Sequence, residues 1–156
     1  MPVTVGQQAP SFSLYNSEKK KISLEDFKGK NVLLLFFPQA FTGTCTKELC
    51  STRDSLSFYE QVNAQVLAIS VDSLFTLARY KDDQQLNFPL LSDFNKEASK
   101  AYDCLYDTFV FDMHGVSKRS AFILDKDGIV RYAEVLETAG DLPDFTKIQK
   151  TLSELN

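Results

Sequence analysis

The stretch NVLLLFFPQAFTGTCTKELC, residues 31–50, decides how the chain is read. Its first half holds a short, wholly apolar run, Val32 to Phe37, which Pro38 stops. Such a run suits a central strand covered on both faces, because a strand with one wet face alternates polar and apolar residues. The second half turns helical: residues 44–62 have helical composition, with Thr44 as the expected N-cap and Glu48 in the opening turns. A buried strand feeding a helix is the repeating unit of a layered α/β domain. It also leaves Cys45 in the first turn of that helix.

Upstream, residues 12–22 (FSLYNSEKKKI) contain two short stretches around a polar centre and predict a hairpin, with Lys19, Lys20 and Lys21 near its solvated tip. Ser23 to Phe27 reads as one helical turn closed at Gly29. Downstream, Val66 to Val71 (VLAISV) predicts a second central strand, Ser73 to Gln84 a helix and Asn95 to Tyr102 another. Ser120 to Leu124 and Ile129 to Val135 flank Asp125-Lys126-Asp127-Gly128, a strong hairpin turn, so antiparallel strands join the sheet. Leu142, Phe145, Ile148, Leu152 and Leu155 fall at helical spacing and predict a terminal helix with one core-facing stripe. The expected fold class is α/β: a thioredoxin-like fold with a mixed central sheet flanked by helices and an N-terminal hairpin, in a single domain over residues 1–156.

Composition narrows the function. With 156 residues, 44% hydrophobic content and 13 Phe, the chain is long enough for one sizeable core. Its 21 acids and 17 bases give a formal charge of −4, and apart from the lysines near residue 20 they are interspersed, which argues against nucleic-acid or anionic-membrane surfaces. The N-terminus MPVTVGQQAP lacks the features of a signal peptide and VLLLFF is too short to span a bilayer, so a soluble, cytoplasmic protein is expected. There the three cysteines are expected to be free, metal-bound or catalytic. No Gly-rich phosphate loop is present, and three Cys with one His and no CxxC pair do not make a zinc site, so neither metal nor cofactor is expected.

The cysteines differ by position. Unpaired N–H groups and the positive end of the helix dipole make the first turn of a helix favourable for an anion, and a thiolate at Cys45 is such an anion. The sole histidine, His114, sits in the loop-like stretch DMHGVS with an exposed polar role expected, which disfavours a Cys-His dyad. The candidate cations are therefore Arg53, in the same helix, and Arg119, just before SAFIL. Cys50 reads equally as a small core residue or as a functional thiol. Cys104, in KAYDCLYD, reads first as a semi-buried structural residue, with a resolving or intermolecular role left open.

The segment PQAFTGTC, Pro38 to Cys45, has the pattern Pro-x-x-x-Thr-x-x-Cys and resembles the active-site signature of the peroxiredoxins, thiol peroxidases built on a modified thioredoxin fold. The likeness extends through VGQQAPSFSL, FFPQAFTGTCTKELCSTRD, VLAISVDS, NFPLLSD and SAFILDKDGIVRY, which together resemble the peroxiredoxin Q / bacterioferritin comigratory protein group and its close neighbour, the alkyl hydroperoxide reductase E type. The resemblance implies that Cys45 is the peroxidatic cysteine, that Thr42 hydrogen-bonds the peroxide, that Pro38 shields the pocket and that Arg119 supports thiolate and substrate. Glu48, one turn after Cys45, is expected to orient an arginine, with stabilisation of the helix dipole as the alternative. In the peroxiredoxin Q group a cysteine five residues on, as in CTKELC, can act as resolving thiol, which makes Cys50 the candidate; the alkyl hydroperoxide reductase E type generally lacks it. Five residues of ideal helix separate the Cα atoms by roughly 8 to 9 Å. A disulfide needs less than about 7 Å, so a 45–50 bond requires the helix to unwind.

The implied partners are a hydroperoxide substrate (hydrogen peroxide or an organic hydroperoxide) and thioredoxin or a similar dithiol reductant, with the protein a monomer or small homodimer. Phe41, Phe109 and Phe111 could cap the pocket or form a small dimer surface. Three other readings stand beside this one: a one-cysteine peroxidase resolved by an external thiol, a thiol-disulfide oxidoreductase, and a non-enzymatic redox sensor or holdase. The oxidoreductase is weakened by Thr42 standing where its CxxC motif would have a cysteine.

Overall fold

The computed structural model describes residues 2–155. Strand β1 (Ser13–Asn16) pairs antiparallel with β2 (Lys21–Ser23), giving the expected N-terminal hairpin, and a 3-10 turn, Leu24–Phe27, follows it. The apolar run becomes β3 (Asn31–Phe36), every residue buried. It is followed by helices α1 (Gly43–Asp54) and α2 (Leu56–Gln61), strand β4 (Ala64–Ser70), helix α3 (Leu74–Gln84) and strand β5 (Leu90–Ser92). Helix α4 (Glu97–Ala101), a ribbon of β6 (Leu105–Phe109) and β7 (Met113–Ser117), strands β8 (Ser120–Leu124) and β9 (Val130–Val135), and helix α5 (Phe145–Glu154) complete the chain. The main sheet has the order β2-β1-β5-β4-β3-β8-β9, with β3, β4 and β5 parallel and the flanking strands antiparallel.

Because side chains alternate across a strand, the central strands divide their residues between two cores. On one face Leu33, Leu35, Val66, Ala68, Ala121 and Ile123 pack under α1, α2, α3 and α5. On the other, Val32, Leu34, Phe36, Leu67, Ile69 and Phe122 pack against α4 and the N-terminal segment. Both faces being dry explains why Val32 to Phe37 reads as unbroken apolar sequence.

Several expected boundaries shift. The helix expected over 44–62 is two helices broken at Ser55 (φ −103°, ψ 10°), and its N-cap is Thr42 rather than Thr44. The third helix begins later than Asn95 because Lys96 adopts a left-handed backbone and the Asp93 carboxylate accepts the N–H groups of Ala98 and Ser99. The terminal helix begins at Phe145, where Asp144 accepts from Lys147 N, so Leu142 lies outside it. Strand β5 and the β6–β7 ribbon have no counterpart in the sequence reading. The first is only three residues long, and the second is largely wet and lacks alternation. His114 is exposed as expected, but on strand β7 and not in a loop. Among the described residues no helix is long and apolar enough to cross a membrane.

Candidate active site

The site lies beyond the carboxyl ends of β3 and β4, where ligands of parallel sheets gather. After β3 the chain crosses residues 37–42 and enters α1, which sets Cys45 in the third helical position. The crossing loop is anchored from β4: Asp72 Oδ2 accepts from Ala40 N at 2.8 Å and from Ser70 Oγ at 2.6 Å. Phe41, with φ 66°, packs its ring 5.0 Å from that of Tyr80. Asp72 is not among the candidates that the sequence alone offers; its place just after a parallel strand, in VDS, is the signal that points to it.

Arg119 arrives from far along the chain. Strand β8 pairs antiparallel with β3 in a register that sets Ser120 opposite Phe36, so the residue before Ser120 stands beside the start of the crossing loop. There Arg119, 1% exposed, donates from Nη2 to Cys45 Sγ at 3.2 Å and from Nη1 to Glu48 Oε1 at 2.8 Å. Its Nε and Nη2 also donate to the Ala139 carbonyl at 3.2 and 2.9 Å. The guanidinium plane is therefore held on three sides, a geometry for which lysine has no equivalent. Glu48 is fully buried and its Oε2 has no hydrogen-bond partner. Burial pushes its carboxyl up to about 7, an effect that the neighbouring Arg119 charge only partly offsets. Of the two candidate arginines, Arg53 is not at the site: it pairs with Asp54 and donates to the Gln84 carbonyl.

Pro38, Thr42, Cys45 and Arg119 line one cavity of about 360 Å³, together with Phe109, Val110, Phe111 and Met113 from the β6–β7 ribbon. The ribbon forms the apolar wall, and Phe111 projects from it at 93% exposure on a left-handed backbone. Thr42 Oγ1 donates to the Gln39 carbonyl at 2.8 Å, so the hydroxyl turns its lone pairs toward other partners. The Gln39 amide in turn donates to Met113 Sδ.

All three cysteines are free thiols. Cys50 points away from Arg119, donating to Gln84 Oε1 on α3 at 3.4 Å. Cys104 belongs to the core on the opposite face of the sheet from Cys45, and burial pushes its thiol up to about 12. The sheet therefore separates these two sulfurs within one chain. Among the described residues no group of three or more His, Cys, Asp or Glu is gathered as a metal site.

The AhpC/TSA family profile matches residues 5–133. The chain is 37% identical over 145 residues to alkyl hydroperoxide reductase E of Mycobacterium bovis, covering 91% of each chain. It is 34% identical over 158 residues to the mitochondrial thioredoxin-dependent peroxide reductase of Mus musculus, covering 95% of this chain and 58% of that one. Among solved structures, peroxidoxin BcpB from Mycobacterium tuberculosis superposes with a TM-score of 0.87 at 25% identity over 99% of both chains.

Proposed function

The chain belongs to the AhpC/TSA family and is a thiol-dependent peroxidase, and on that premise we propose that Cys45 is the sulfur that attacks the peroxide. The observation that carries this assignment is the contact of 3.2 Å from Arg119 Nη2 to Cys45 Sγ in the wall of an open cavity. A guanidinium at that distance stabilises negative charge on sulfur, and the N–H groups of the first turn of α1 add to it.

In the first step a sulfur electron pair of the Cys45 thiolate bonds to the terminal oxygen of the hydroperoxide. The O–O bond breaks, and its electrons leave on the second oxygen, which takes a proton to become alcohol or water. Cys45 is left as sulfenic acid. Charge develops on the leaving oxygen, so Arg119 and the first-turn amides lower the barrier there. Thr42, whose own proton goes to Gln39, accepts the hydroperoxide O–H and orients it. Pro38 excludes water from one wall of the cavity.

Cys50 then condenses with the sulfenic acid once the first turns of α1 have unwound, and a dithiol protein of thioredoxin type reduces the resulting disulfide. The pairing CTKELC, present here, supports the peroxiredoxin Q group over the alkyl hydroperoxide reductase E type. Stopped-flow oxidation tests the assignment of Cys45. A second-order rate with hydrogen peroxide far above that of a free thiol, lost in Cys45→Ser, is expected. A free-thiol rate would leave Cys45 as a sensor or a structural residue. Mass spectrometry of peroxide-treated protein tests Cys50: a 45–50 link is expected, whereas Cys45 oxidised without it makes this a one-cysteine peroxidase resolved by an external thiol.

A further inference from the structure

The face of α1 turned away from Arg119 is tied to α3 by contacts spaced along both helices. Thr46 Oγ1 lies 2.9 Å from the Tyr80 hydroxyl, Cys50 Sγ donates to Gln84 Oε1 at 3.4 Å, and Arg53 Nη1 donates to the Gln84 carbonyl at 2.6 Å. Asn87 Nδ2 donates back to the Arg53 carbonyl. Positions 46, 50 and 53 are four and three apart and so form one stripe on α1, which Tyr80 and Gln84, also four apart, face from α3. The buried residues of α1 are Cys45, Glu48, Leu49 and Thr52, of which Leu49 alone is a large apolar side chain. A helix of this make-up has little apolar area holding it to the sheet, so polar contacts carry an unusual share of its attachment.

We propose that Gln84, supported by Tyr80, is a positioning residue for the resolving step. It holds the Cys50 thiol as a donor facing α3, and the release of that contact sets how fast Cys50 reaches the Cys45 sulfenic acid. The inference rests on the reading of Cys50 as the resolving thiol. The nucleophile in disulfide formation is the thiolate, and a thiol engaged as donor to Gln84 is both protonated and aimed away from Cys45. When the stripe parts and α1 unwinds, the Cys50 sulfur bonds to the Cys45 sulfur and the S–O bond breaks. The hydroxide departs with the proton that Cys50 lost, as water. Because α1 ends at Ser55, unwinding over residues 45–50 need not spread into α2.

The test is single-turnover kinetics with hydrogen peroxide, following 45–50 disulfide formation after acid quench and the fraction of Cys45 driven to sulfinic acid by excess peroxide. Gln84→Leu removes the acceptor, and the loss of one hydrogen bond is expected to speed disulfide formation about two- to tenfold. The sulfinic fraction should fall in step, while the second-order rate of the first oxidation stays at the wild-type value. Gln84→Glu, which keeps an acceptor oxygen, should resolve no faster than wild type. Tyr80→Phe, which removes one hydroxyl, should shift resolution in the same direction as Gln84→Leu. Unchanged or slower resolution in both Gln84→Leu and Tyr80→Phe, with the 45–50 link still forming, overturns the role of Gln84 alone. Absence of the link in the wild-type protein overturns this inference together with the resolving reading of Cys50.

Discussion

Arg119 stands between two groups that compete for its charge, the Cys45 sulfur at 3.2 Å and the Glu48 carboxylate at 2.8 Å. Removing it as Arg119→Ala should lower the second-order rate of Cys45 oxidation about 10²- to 10³-fold, the usual loss for a preorganised donor in a buried site. The same change takes away the groups that hold the Glu48 value down, so the buried carboxyl takes a proton and is left without its partner, and a cost of about 1–3 kcal/mol in urea unfolding is expected. Arg119→Lys keeps the charge but cannot reach both partners from one plane, so it should fall between wild type and Ala in rate. Glu48 makes stability depend on pH. Its folded-state value, raised to about 7 by burial, lies above its unfolded value, so between pH 4.5 and 7 the native state binds more protons than the unfolded one. The Glu48 contribution is therefore fully present below pH 4.5 and is lost as pH rises through about 7. Urea midpoints across this window should fall less steeply with pH in Glu48→Gln than in wild type.

At the scale of elements, α1 is the piece whose two states the proposed resolving step at Cys50 needs. If the 45–50 bond forms, ideal helical spacing cannot persist over those residues. Amide hydrogen exchange within residues 43–54 should then accelerate at least tenfold on oxidation, with β3 and β4 unchanged; equal protection in both redox forms would contradict an unwound oxidised state. Helix α3, by contrast, is capped in the ordinary way, the Ser73 side chain accepting from Thr76 N. Ser73→Ala should cost about 1 kcal/mol, read as a lower melting temperature. Most of these elements were legible in the sequence because their signals are local. The apolar run ended by Pro38 marked β3, and the Asp125 to Gly128 turn marked the β8–β9 hairpin, where Gly128 takes φ 78°. The β6–β7 ribbon was not legible, since its half-wet residues carry neither helical nor strand periodicity, yet it supplies the apolar wall of the cavity.

For the molecule as a whole, the sheet acts as a partition. Cys45 and Cys50 pack with one core, Cys104 with the other. A thiol reagent added to the native reduced protein should spare Cys104 until the protein is unfolded, and Cys104→Ala should retain full peroxidase turnover. Rapid labelling of Cys104 in the folded state would contradict its complete burial. The sequence by itself determined the strand-turn-helix order and the position of Cys45 in the first turn of a helix, together with the family those residues resemble, because these depend on interactions among near neighbours in the chain. Only the tertiary structure decided which arginine meets that sulfur, which cysteine stands behind the sheet and which helix holds Cys50. The residues concerned lie 34 to 74 positions apart. Strand register and helix packing bring such residues together, and neither is written into a local stretch of side chains.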